Sequence, residues 1–121
     1  MTYLATSIND SPVIVDKAET VIADVRGRAV ALEDGIKLAT AGSRPLGVGI
    51  MTNDKNIAAG ADVHVQIRGI GLVCAGEAIT KGDNLEVGAD GCLVPESEGP
   101  VVAIALEEAA AAGVYIKAIL K

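Results

Sequence analysis

Glu77-Ala78-Ile79 leads to Gly82, and Asn84-Leu85-Glu86-Val87 leads to a turn at Gly91. Ala103-Ile104-Ala105-Leu106 is then followed by Ala111-Ala112-Gly113 and Val114-Tyr115-Ile116. The same series stands earlier in the chain. Glu19-Thr20-Val21-Ile22 leads to Gly27, and Ala29-Val30-Ala31-Leu32 to a turn at Gly35. Gly47-Val48-Gly49-Ile50 follows, then Ala58-Ala59-Gly60 and Val63-His64-Val65. The order holds throughout, with small insertions confined to loops. Residues 17–70 and 75–121 therefore read as two copies of one unit.

The unit is made of strands. Its apolar runs are short and bounded by Gly, Asp or Pro. Val63-His64-Val65-Gln66-Ile67 alternates as a half-buried strand does. Asp34-Gly35 and Asp90-Gly91 sit between such runs, and Asp-Gly favours a hairpin because both turn positions tolerate positive φ. Pro45 and Pro100 precede apolar runs, where a proline can begin a strand but not occupy its middle. Glu107-Glu108-Ala109-Ala110-Ala111-Ala112 has helix propensity but is too short to stand alone as a helix. Its counterpart, Thr52-Asn53-Asp54-Lys55-Asn56, reads as a turn, so the segment reads as a loop with room for one helical turn. The expected fold is all-β: a small barrel or compact sandwich built from two similar strand-rich repeats.

Residues 1–16 lie outside the repeat and form an extended N-terminal arm on this reading. They are polar at Thr2, Thr6, Ser7, Asn9, Asp10 and Ser11, then apolar at Val13-Ile14-Val15 after Pro12. Two readings stay open: a terminus leading into an edge strand, and an arm that orders on a partner's surface.

Composition narrows the function. The chain has 121 residues, half of them hydrophobic, with no Phe, no Trp and only Tyr3 and Tyr115 as aromatics. A core of Val, Ile, Leu and Ala fills thin spaces between closely packed strands, whereas roomy ligand pockets carry aromatics. Net charge is −6, with carboxylates spread along the chain. The basic stripe and stacking aromatics of a nucleic-acid binder are both missing. No apolar run approaches the length of a membrane span, and the N-terminus does not read as a signal peptide. The chain is expected to be made and used in the cytoplasm, with no nucleic-acid or membrane partner.

Catalytic chemistry has little to work with. His64 is the one histidine, on the alternating strand with Gln66 on its face and Val63 and Val65 opposite, which reads as solvent-facing. Cys74 and Cys92 fall in apolar runs eighteen positions apart, outside metal-ligand spacing, and read as buried reduced thiols. Glu33 with Asp34 and Glu107 with Glu108 are carboxylate pairs in turns. Gly69-Ile70-Gly71 is followed by no helix signal, so turns rather than a phosphate explain the glycines. The sequence implies no enzyme, no cofactor and no metal.

Gly76-Glu77-Ala78-Ile79-Thr80-Lys81-Gly82-Asp83-Asn84-Leu85-Glu86-Val87 carries a resemblance. Biotinyl and lipoyl carrier domains share this pattern, but their modified lysine stands on a hairpin between methionine-like flanks. Here those turns hold Asp34-Gly35 and Asp90-Gly91, and Lys37 lacks the flanks. The wider run continues through Asp90-Gly91 to Val101-Val102-Ala103-Ile104-Ala105-Leu106, Glu107–Gly113 and Val114-Tyr115-Ile116. It resembles the bacteriophage capsid cement proteins once catalogued as a domain of unknown function. Pro45-Leu46-Gly47-Val48-Gly49-Ile50 is similar to their apolar strand in the first copy. The resemblance spans residues 17–121. It implies a structural protein on the outer capsid surface, a homo-oligomer (a trimer) that binds the major capsid protein. A tail or fibre accessory domain is the alternative. By analogy with strapping arms, the expected capsid contacts are Thr2, Tyr3, Leu4, Thr6, Ile8, Asn9 and Pro12.

Overall fold

A computed structural model describes residues 12–121. Ten strands form two five-stranded antiparallel sheets. The first comprises β1 (Val13–Lys17), β2 (Ala29–Leu32), β3 (Ile36–Leu38), β4 (Gly47–Gly49) and β5 (Asp62–Gln66), in the order β1-β5-β4-β2-β3. The second comprises β6 (Gly69–Cys74), β7 (Asn84–Val87), β8 (Leu93–Pro95), β9 (Ala103–Ala105) and β10 (Tyr115–Leu120), in the order β6-β10-β9-β7-β8. The two orders are identical once five is subtracted from each label of the second. The repeat read from the sequence is therefore a repeat of topology.

Each sheet curls until its edge strands meet at one point. Glu19 N–H donates to Ile36 O at 2.9 Å, and Gly76 N–H to Leu93 O at 2.8 Å. These are the parallel bridges Ala18↔Ile36 and Ala75↔Leu93. A single bridge is not a ladder, so neither sheet closes into a barrel, and the sandwich is the form adopted.

Hydrogen bonds fix the equivalence of the copies residue by residue. Leu46 N–H donates to Val30 O and Val102 N–H to Leu85 O, both at 2.8 Å. Gly27 N–H donates to Gly49 O and Gly82 N–H to Ala105 O, again both at 2.8 Å. These pairs agree with the sequence alignment. The last strand does not: Ile50 N–H donates to His64 O and Leu106 N–H to Lys117 O. His64 thus matches Lys117 rather than Tyr115, and Val63 matches Ile116. A slip of two residues keeps every side chain on its own face, so alternation alone does not detect it.

The repeat also begins earlier than the apolar series suggests. Val13–Asp16, grouped with the arm on sequence grounds, belong to β1, an edge strand paired with β5 from Val13↔Gln66 to Lys17↔Asp62. Its counterpart is β6, which lies across the boundary between the two copies as read from the sequence. The two first strands, Val-Ile-Val-Asp-Lys and Gly-Ile-Gly-Leu-Val-Cys, share no pattern. Self-similarity could not reveal them.

The turns vary on a common plan. Asp90 (φ 57°) and Gly91 (φ 78°) both adopt positive φ, as an Asp-Gly hairpin requires. Gly35 does not. A Cβ there would sit 2.8 Å from Lys17 O and 2.9 Å from Glu19 N, so that glycine serves the meeting of the sheet edges. Glu107–Ala112 contains no helix, and Ala109 instead forms an isolated bridge with Ile79.

The first unit encloses Ala18, Ile22, Val25, Val30, Ile36, Ile57, Val63 and Val65. A second cluster gathers Leu85, Leu93, Val102, Ile116 and Leu120 of the second unit together with Ala29, Ala39 and Val48 of the first. The outer surface of the first sheet is thus core for the second unit. Backbone bonds stitch the seam: Cys74 N–H to Gly27 O at 2.6 Å and Gly42 N–H to Val87 O at 2.8 Å.

Gly49 is held on both sides, its N–H bonded to Arg28 O at 3.0 Å and its carbonyl accepting from Gly27. A Cβ there would lie 2.2 Å from Val25 O. Gly49→Ala is expected to destabilise the fold by about 1–3 kcal/mol, the range for overpacking, read as a lower urea midpoint. The reverse change at its counterpart, Ala105→Gly, relieves no such clash and should not raise the midpoint.

Candidate functional site

The residues that could carry chemistry lie apart. His64 is exposed on β5. Its backbone is bracketed by Asn53, whose Oδ1 accepts the His64 N–H at 2.9 Å and whose Nδ2 donates to the His64 carbonyl at 2.8 Å. Glu33 forms an ion pair with Lys37, which occupies the lysine raised by the carrier-domain comparison. Asp34 N–H donates to Glu19 Oε1 at 3.2 Å. Glu107 accepts the Lys117 N–H at 2.7 Å. Among the described residues no three His, Cys, Asp or Glu side chains gather as metal ligands do.

Cys74 and Cys92, remote in sequence, come together in space. They precede the parallel bridge partners Ala75 and Leu93, which brings their Sγ atoms to 3.1 Å as buried free thiols. Burial, and then the hydrogen bond shared with Cys92, push the Cys74 thiol up to about 12. A thiol so raised is protonated at neutral pH and is a poor nucleophile.

The Gly76–Val87 segment is a built turn. Thr80 N–H donates to Asp83 Oδ2 at 2.9 Å, while Asp83 N–H donates back to Thr80 O at 3.0 Å. Gly82 then takes φ +93°, open to glycine at little cost. Asp83 shapes this loop and needs no ligand to do so.

Glu86 on β7 is the one buried carboxylate of the described residues. Its Oε1 accepts the N–H groups of Ser97, of Glu98 at 3.1 Å and of Gly99 at 3.3 Å. These bonds, Ser97's foremost, hold its carboxyl below the ordinary glutamate value of 4.5. Gly99 in turn lies so close to Gly42 that an added Cβ would be 3.0 Å from its Cα. One carboxylate therefore shapes the β8–β9 loop and its contact with the first unit.

What remains open is surface. Of the arm contacts expected from the sequence, Thr2, Tyr3, Leu4, Thr6, Ile8 and Asn9 lie outside the described residues. Pro12 is exposed at the entry to β1, and its carbonyl accepts the Ile67 N–H at 2.7 Å. A second surface was missed from sequence: the outer face of β6 and β10, where Ile70, Leu72 and Ile119 are exposed. Its signal was available, since apolar residues occupy both parities in Ile70-Gly71-Leu72-Val73 and in Ala118-Ile119-Leu120.

Turns, seams and packing account for the glycines, carboxylates and thiols just described, and the open features are faces and an edge. That combination defines a structural module that works through its surfaces. The chain belongs to the phage cement protein family, whose model matches residues 11–120. It is similar to a solved structure, the head fiber gp8.5 N base of bacteriophage phi29. The two are 26% identical over 90% of this chain and 92% of that one, with a TM-score of 0.68. No curated protein matches the chain. The protein is a phage structural protein.

Two outcomes follow from the buried groups. A carboxyl depressed by folding adds stability above its unfolded value and loses it as pH falls through its folded value. Glu86→Gln should therefore lower the thermal midpoint at pH 7, and the wild-type advantage should shrink below pH 4.5. Iodoacetamide at pH 7 should leave Cys74 unmodified in the folded protein and alkylate it in urea, as read by intact mass.

Proposed function

We propose that this protein decorates the outside of a bacteriophage head and stabilises the shell by binding the major capsid protein, acting as a homo-oligomer, a trimer. The observation that carries the proposal is the near-complete match of the chain to the cement family over residues 11–120. Cementing asks for a rigid block and a surface that clasps neighbours, with no chemistry. Two units sharing one core, with a buried carboxylate pinning a loop, supply the rigidity. A head presents many copies of one site, so a closed oligomer converts modest single-site affinity into avidity. The phi29 neighbour is the base of a head fiber, which favours a head location over a tail one.

The N-terminal residues Thr2, Tyr3, Leu4, Thr6, Ile8, Asn9 and Pro12 are the proposed capsid contact. An arm that orders on binding loses conformational entropy and in return wraps a large surface.

The test uses heads prepared with and without the protein, challenged by heat or low salt. Decorated heads are expected to survive conditions that open bare ones; equal survival would overturn the cementing role. A chain lacking residues 2–12 is expected to keep its thermal midpoint yet fail to co-sediment with heads. Undiminished co-sedimentation of the truncated chain would assign the contact elsewhere.

A further inference from the structure

We infer that the outer face of the second sheet, centred on Ile119, is where a second copy of this chain packs. The inference rests on the self-association proposed above and names the surface that performs it.

Ile119 on β10 stands directly opposite Ile70 on β6 and opposite Ile104 on β9. Directly opposed side chains on a sheet face touch one another, so the three isoleucines make one continuous apolar row across three strands. Leu72 extends it along β6, opposite Lys117. The row is open: Ile70 is 61% exposed, Leu72 43% and Ile119 39%. The charged side chains on β6 and β10, with the residue that follows, are Lys117 and Lys121, both cationic in a chain of net charge −6. A contiguous apolar face rimmed by charge is the form of an interaction surface.

The first unit shows what covers such a face. Residue equivalence places Val13, Gln66 and Val48 where the second unit has Ile70, Ile119 and Ile104. Ala29 stands where the second unit has Asn84. In the first unit this face is closed at β2 and β4, while Val15 on β1, the counterpart of Leu72, stays exposed. Val48 and Ala29 are buried in the cluster that holds Leu93, Val102 and Leu120 of the second unit. Gln66 is engaged too, its Nε2 donating to Arg68 O at 3.0 Å and to Ile70 O at 2.9 Å. Within one chain, then, the cover of this face is a unit of this same fold.

The second unit presents the equivalent face with a more apolar row, and among the described residues no further unit lies on it. A second copy of the chain brings the missing cover. Its first unit carries Leu46 and Ile67 at the positions of Val102 and Leu120, while Ile36, the counterpart of Leu93, is fully buried within that unit. Leu46 and Ile67 are half-buried, whereas Val102 and Leu120 are buried. The contact runs head to tail, second unit to the next first unit. Such a contact closes into a ring when its rotation allows. Lys117 and Lys121 on this face also suit a partner of the same acidic chain.

The experiment is sedimentation equilibrium on the full chain. The wild type is expected to be oligomeric, and the doubly substituted Ile70→Asp, Ile119→Asp chain to fall to the mass of a single chain with its thermal midpoint kept. Val21→Asp, at an exposed site of the first unit, serves as the control and should remain oligomeric. An oligomeric double variant would overturn the assignment of this face while leaving self-association standing. A wild type that is monomeric at all concentrations would overturn self-association itself. A double variant that stays oligomeric but no longer co-sediments with heads would give the face to the capsid shell instead.

Discussion

Backbone lies against backbone in this protein, and most of its architecture depends on that closeness. A Cβ at Gly47 would stand 2.3 Å from Gln66 O, and one at Gly91 would stand 2.7 Å from Ala29 O. The first contact is inside a unit and the second joins the two. Where main chains approach to this degree, large side chains have no space between them, which accounts for a core without Phe or Trp. Val, Ile, Leu and Ala then fill the narrow layer at high density. The same closeness lets the first sheet be roofed by the second unit rather than by solvent.

The sharing of a core between two similar units sets a limit on symmetry. If the copies were truly equivalent, both outer faces would need the same cover. They diverge instead at the residues that matter: Val48 and Ala29 on the covered face, Ile104 and Asn84 on the open one. The thiol pair is likewise confined to one unit. Lys17 and Gly35 occupy the positions that correspond to Cys74 and Cys92, since they precede Ala18 and Ile36 of the matching bridge. Divergence is concentrated where one unit faces the other or faces outward, while the hydrogen-bond frame that defines the fold is kept.

Much of this was legible in the chain itself, because repetition of turn residues and apolar runs reports topology directly. The matching of Val30 with Leu85 and of Gly60 with Gly113 survives intact. The edge strand at Val13-Ile14-Val15 was one of the two readings of that segment, but its kinship with β6 was not legible, since β1 ends in Asp-Lys and β6 in Val-Cys. The fine register of the last strand also escaped, because a shift of two leaves alternation unchanged. Of the site, the solvent-facing His64 and the quiet cysteines could be read from their neighbours. The meeting of Cys74 and Cys92 could not, being a product of the curl that brings β6 to β8. Apolar residues of both parities in β6 and β10 signalled an outward apolar face, whereas joining Ile70, Ile119 and Ile104 into one row required cross-strand register.

The junction between the units has a further consequence. Val13 pairs with Gln66 and Leu120 with Gly69, so the entry to the first strand and the exit from the last lie on either side of one short connection. The module therefore gathers its way in and its way out at a single pole. Whatever is joined to either end starts from that pole, beside the connection from Gln66 to Gly69.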